Sequence, residues 1–187
     1  LQDGVIGKGT LNALNVTKNE RREQIFANLE RWRWYPNNLG KQYLIVNLPQ
    51  YILNYVVDND TVATHKTVVG TAKRKTPILT SKLSNFVFNP TWTIPPTIIK
   101  EDLTPSASKN RNYFPSRKLT ICNNKGQEVN PYAWNPARAN SYRYVQKPGY
   151  NNSLGLVKFN FPNNHLVYLH DTNHRDYFVK NNRSLSS

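Results

Sequence analysis

Nucleophilic catalysis needs a thiol or hydroxyl close to a base, and the one thiol in the chain, Cys122, could be served by a histidine such as His170. Cys122 lies in Leu119-Thr120-Ile121-Cys122-Asn123, which reads as a short strand entering a turn, the setting of a small inert hydrophobe. His170 and His174 stand four apart, the spacing that puts two imidazoles on one helix face for zinc. Here Tyr168-Leu169-His170 reads as a strand end, no Glu intervenes and no third ligand is signalled, so no metal site is expected. A single cysteine also excludes an internal disulfide and a cysteine-based zinc cluster.

These residues belong to a chain of 187, 38% hydrophobic, with Lys+Arg 25 against Asp+Glu 11 and a formal net charge of +14. That length supports a packed core of domain size. The clusters Lys73-Arg74-Lys75 and Lys109, Arg111, Arg117, Lys118, with aromatic residues between them, are the electrostatic footprint of a polyanion binder. Most of the aromatics fall at strand periods that imply core. Nucleic acid is therefore not the expected partner, and an anionic cell-envelope polymer accounts for the charge equally well. No stretch approaches the roughly 18 to 20 apolar residues of a membrane-crossing helix. The nearest, 43–57, is broken by Asn47, Pro49, Gln50 and Asn54.

The elements that must hold His170 are legible from periodicity. Leu11 and Leu14 share a face of a short helical pattern. Thr17 and Glu20 fit a capping box, and Ile25, Leu29 and Trp32 mark one stripe of a helix running to about Trp34, ended by Tyr35-Pro36-Asn37-Asn38. From Lys41 the pattern changes to runs rich in β-branched and aromatic residues at 43–48, 51–57 and 61–69. Pro49-Gln50 and Asp58-Asn59-Asp60 separate them, which predicts an antiparallel meander. Residues 89–148 shift toward Pro, Asn and Arg without a sustained period, the pattern of an irregular insertion. Strand signals return at 142–145, 156–161 and 166–170, so the fold class is mainly β, α+β overall, with an N-terminal helical segment.

Residues 168–187, YLHDTNHRDYFVKNNRSLSS, resemble the active-site signature of the L,D-transpeptidase (YkuD-type) family. In that family a strand delivers H-D-T or H-G-T, and the motif closes with R-x-x-S-x-G-C-[VI]-R, whose Cys is the nucleophile. His170-Asp171-Thr172 matches the first part, and Arg183-Ser184-Leu185-Ser186-Ser187 the second up to the residue before Gly-Cys. Asp3-Gly4-Val5-Ile6-Gly7 with Thr10-Leu11-Asn12-Ala13-Leu14-Asn15 resembles the end of a peptidoglycan-binding module. Val69-Gly70 with Lys75-Thr76-Pro77, Asn89-Pro90-Thr91-Trp92 with Ile94-Pro95-Pro96-Thr97, and Asn152-Ser153-Leu154-Gly155 with Lys158-Phe159-Asn160-Phe161-Pro162 resemble the large periplasmic branch, whose catalytic domain carries a capping insertion.

The resemblance implies a β-sandwich-like fold divided into a peptidoglycan-binding remnant at 1–16, a helical linker at 17–40 and a catalytic domain at 41–187 with its insertion at about 92–148. It implies an acyltransferase that joins peptidoglycan stems by 3→3 links, with donor and acceptor stem peptides as partners, in the bacterial cell envelope. No metal or organic cofactor is implied. By position, His170 matches the catalytic base. Tyr168, Trp92, Ser186 and Ser187 match substrate-binding positions, and Asp171, Thr172 and Arg183 match positions that orient the loops. Cys122 precedes the base, whereas the family nucleophile follows it, so the role does not pass to Cys122. The expectation is a fragment that stops two residues before its nucleophile and is inactive as it stands. The alternatives are a non-catalytic binder of cell wall or another polyanion, and a pseudoenzyme.

Overall fold

The computed structural model describes residues 4, 6–36 and 38–186. Asp3, Val5, Asn37 and Ser187 lie outside the described residues. The strands are β1 (Gln42–Asn47), β2 (Ile52–Val57), β3 (Asp60–Lys66), β4 (Val69–Gly70), β5 (Asn85–Phe88), β6 (Trp92–Thr93), β7 (Leu119–Cys122), β8 (Glu128–Val129), β9 (Arg143–Gln146), β10 (Val157–Asn160), β11 (Leu169–His170) and β12 (Ser184–Ser186). They make four sheets, ordered β1-β2-β3, β11-β10-β5, β12-β4 and β6-β9-β7-β8. With the shorter helical segments this is the mainly-β, α+β class that the sequence predicts. Residues up to Thr76 together with Phe178–Ser186 form one compact unit, and Pro77–Tyr177 form another.

The first unit opens with helices α1 (Lys8–Leu14) and α2 (Lys18–Trp32). The capping box of α2 is complete: Thr17 Oγ1 accepts the Glu20 N–H at 3.2 Å, and the Glu20 carboxylate accepts the Thr17 N–H at 2.7 Å. The helix stops two residues short of Trp34. The Arg33 and Trp34 N–H groups turn to the Glu30 and Arg31 carbonyls at 3.1 Å, a tightening before Pro36. Its apolar stripe of Ile25, Leu29 and Trp32 is exposed among the described residues. The meander follows as expected. Asp58 and Asn59 both have positive φ, 47° and 71°, the left-handed pair that a two-residue hairpin loop needs between the partnered Val57 and Asp60.

In the same unit β4 and β12 pair in parallel, Ser184 opposite Val69 and Ser186 opposite Gly70. Gly70 is required there: a Cβ on it would collide with the Arg74 carbonyl. The approach to β12 is held by Arg183, 8% exposed, whose guanidinium donates to the carbonyls of Thr67 at 3.1 Å, Lys180 at 2.8 Å and Tyr51 at 3.0 Å.

In the second unit the irregular stretch at 89–148 contains the buried hydrophobic core, built from Leu103, Phe114, Ile121, Trp134 and Tyr144 among others, and the short strands read near Cys122 and at 142–145 are β7 and β9. Each element is too short to show a period. α3 (Pro96–Ile98) runs through a π turn, Ile99–Leu103, into α4 (Thr104–Lys109), and α5 (Tyr113–Ser116) precedes β7. Aromatic packing joins them, with Phe114 edge-on to Trp134 at 5.1 Å and stacked on Tyr144 at 6.1 Å. The loop after β9 is ordered by amides instead of ladders. Asn152, 1% exposed, donates to the carbonyls of Pro90 and Lys147 at 3.0 Å and accepts the Leu154 N–H at 2.8 Å.

The Tyr144 hydroxyl accepts the Trp134 Nε1–H at 2.7 Å and donates to the Ala139 carbonyl at 2.8 Å. Burial pushes its pKa up to about 12, against the opposing effect of the Trp134 hydrogen bond. An unfolded tyrosine near 10 gives up its proton first, so this stability is whole below pH 10 and is lost as pH rises toward 12, on the order of 2 to 3 kcal/mol. Tyr144→Phe is expected to lose less stability than the parent between pH 9 and 11.5 in urea titrations. An equal loss in the two proteins would refute the assignment.

Candidate active site

The strand β10 is amphipathic by alternation. Phe159 pairs with Leu169 on β11 and Phe86 on β5, while Lys158 pairs with His170 and Val87. One face of this sheet therefore carries aromatic and aliphatic groups, and the other carries a row of Val87, Lys158 and His170. Tyr168 lies two residues before His170, and the rings meet edge to face at 5.7 Å. The Lys158 ammonium rests 3.9 Å above the Tyr168 ring centroid. Burial raises the Tyr168 pKa, and the indole of Trp92 on β6 opposes that shift without outweighing it. Three residues singled out by sequence, Trp92, Tyr168 and His170, thus form one cluster.

The His170 ring is oriented by its backbone neighbour: Nδ1 hydrogen-bonds the Asp171 carbonyl. A carbonyl only accepts, so Nδ1 carries the proton of the neutral ring and Nε2 presents the lone pair. No group among the described residues is hydrogen-bonded to Nε2. Burial is the largest influence on the His170 pKa and lowers it. The Asp171 carbonyl and carboxylate oppose this and Lys158 adds to it, leaving a net shift below the ordinary imidazole value. His170 is therefore expected to titrate below about 6.5, observable from its ring proton resonances by NMR. The sign for stability follows: as pH falls below that value the unfolded chain takes up the proton first and the fold weakens. A midpoint above 6.5 would sink the assignment.

Asp171 is tied to the turn before β10. Its Oδ2 accepts the Leu156 N–H at 2.9 Å and an Arg175 Nη2–H at 2.9 Å. Burial pushes its pKa up, but the Leu156 and Thr172 N–H groups and the Arg175 guanidinium outweigh it, and the carboxylate is held below its ordinary range. Gly155 makes room for this carboxylate: φ is +60°, and a Cβ would strike Asp171. The Thr172 hydroxyl accepts the His174 N–H at 3.0 Å, closing the turn behind His170.

Arg183 and Ser186 belong to the unit that carries β4 and β12, and Ser187 lies outside the described residues. Cys122 is a buried free thiol on β7, in the four-stranded sheet, whereas His170 is in the sheet β11-β10-β5. His174 stacks on Tyr177 at 4.9 Å, and among the described residues no group of three His, Cys, Asp or Glu could hold a metal. No described helix is long and apolar enough to cross a membrane. Sequence reasoning gave no role to Lys158 or Arg175. The signal for Lys158 was available as a lone cation inside the apolar run 156–161.

Residues 41–187 match the YkuD family, described as the L,D-transpeptidase catalytic domain. A Haemophilus influenzae protein named "Putative L,D-transpeptidase" is 37% identical over 168 residues, which cover 88% of this chain and 34% of that protein. The chain spans about a third of the length of that relative.

Proposed function

We propose that this chain, which belongs to the L,D-transpeptidase catalytic domain family, carries the acid–base half of a peptidoglycan transpeptidase that works through a cysteine acyl-enzyme. The observation that carries this reading is His170 with Nδ1 committed to a backbone carbonyl and Nε2 left as a lone acceptor. A thiol near pKa 8.5 needs such a base to become a thiolate. His170 Nε2 takes the thiol proton, and sulfur attacks the carbonyl between the diaminopimelate L-centre and D-Ala of the donor stem. The proton then goes from the imidazolium to the departing amine as the C–N bond breaks. In the second half a side-chain amine of the acceptor stem attacks the thioester, His170 takes its proton, and the thiol is regenerated with a 3→3 link formed.

In this reading the nucleophile is the Cys of the Gly-Cys pair that the family motif sets two positions past Ser187, and its backbone supplies the oxyanion donors. Tyr168 and Trp92 line the donor side, Ser186 and Ser187 form the approach to the thiol, and Asp171, Thr172 and Arg183 hold the loops. The compartment is the bacterial envelope, where peptidoglycan lies.

Mass spectrometry tests the proposal. The protein is expressed together with what its gene encodes after Ser187 and is incubated with a tetrapeptide stem. The expected product is a thioester adduct of the tripeptide acyl group with release of D-Ala. A cysteine at the motif position that never acylates, or the absence of a cysteine there, overturns it.

A further inference from the structure

Lys158 is a cation that the fold partly desolvates without supplying an anion. It is half-buried in the middle of β10, directly opposite His170 in register, with its ammonium 3.9 Å over the Tyr168 ring. Burial lowers its pKa. No carboxylate pairs with it among the described residues, and Asp171, the acid beside His170, is committed to the Leu156 N–H and to Arg175. The Tyr168 ring stabilises the ammonium on one side, and the N–H donors that point away from the ring can meet an anionic ligand.

We propose that Lys158, with Tyr168 as its aromatic wall, forms a carboxylate subsite that takes the C-terminal carboxylate of the donor stem. The inference rests on the transpeptidase reading of His170. The leaving amine of the donor and that carboxylate sit on the same α-carbon of D-Ala. The group that returns a proton to the amine and the cation that holds the carboxylate must therefore be neighbours. His170 and Lys158 are cross-strand partners on one sheet face, the relation that this substrate fragment demands. A flexible ammonium suits a carboxylate that must leave with the product, because it binds as a point charge without the bidentate lock of arginine.

The stem also carries a carboxylate on diaminopimelate, so the test separates the two. This chain, Lys158→Met and Lys158→Arg are titrated by calorimetry with three tetrapeptide stems: the free acid, its C-terminal amide, and the stem amidated at the diaminopimelate carboxylate. The unchanged chain is expected to bind the free acid about 10-fold or more tighter than the C-terminal amide, the worth of one charge-assisted hydrogen bond. Lys158→Met binds those two equally, Lys158→Arg keeps most of the preference, and amidation at diaminopimelate leaves the preference intact. The proposal is overturned if Lys158→Met still prefers the free acid, or if the preference follows the diaminopimelate carboxylate. If the unchanged chain binds none of the three, the transpeptidase reading fails first and takes the subsite with it. Binding of all three without discrimination removes the subsite alone.

Discussion

Replacing His170 with asparagine in the nucleophile-bearing protein is expected to lower the rate of acyl-enzyme formation by about 10²- to 10⁴-fold, the usual worth of a positioned general base. Asparagine keeps a donor for the Asp171 carbonyl but presents no lone pair that can take a proton near neutral pH. His170 keeps part of its surface open to solvent even though the surrounding protein desolvates the ring, and its pairing with Lys158 is made by the backbone. The melting temperature should accordingly stay close to that of the parent. Raising the pH is expected to rescue part of the activity, because hydroxide then generates the thiolate that the imidazole no longer supplies. Stopped-flow acylation over pH 6 to 10 reads both effects. A variant that acylates at the parent rate at pH 7 removes His170 from the chemistry.

The second large effect is on stability. Arg183→Met is expected to cost about 3 to 5 kcal/mol, because it strips three carbonyls of charged donors at once. The acceptors, Thr67, Lys180 and Tyr51, belong to the turn after β3, the segment before β12 and the turn before β2. The guanidinium also lies 5.3 Å from the Tyr51 ring centroid. No lysine can reproduce this fork, since one ammonium does not span three acceptors in fixed planar directions, so Arg183→Lys should recover less than half of the loss. Because Ser184 follows directly and pairs with Val69, the loss propagates to β12. Urea unfolding measures the change, and a cost under about 1 kcal/mol would show that the carbonyls find water instead.

These two residues mark the line between what was legible in the chain and what was not. His170 and Arg183 stand out because a short motif fixes their order and spacing, and the turn chemistry around them is local. The same locality made the Thr17–Glu20 capping box, the Asp58-Asn59 hairpin and the three strands of the meander readable. In each, a few consecutive residues satisfy their own backbone hydrogen bonds or set their own φ. The apolar stripe of α2 was equally visible, yet periodicity states which residues share a face and not what covers it. Ile25, Leu29 and Trp32 remain exposed among the described residues.

By itself the sequence determined the family and the fold class, and it singled out His170 and the arginine before β12. Tertiary structure alone decided the rest. Residues 89–148 show no sustained period in one dimension because their elements run two to six residues. Phe114, Trp134 and Tyr144 find one another only in the folded unit. Trp92 meets Tyr168 across 76 positions of chain, and the Asp171 carboxylate reaches back to Leu156 through the gap left by Gly155. Lys158 becomes the neighbour of His170 only when β10 and β11 pair in one particular register. The physical reason is common to all of these. Local hydrogen bonds and φ preferences are properties of adjacent residues, whereas the charge, burial and proton affinity of a side chain are set by whatever the fold brings beside it.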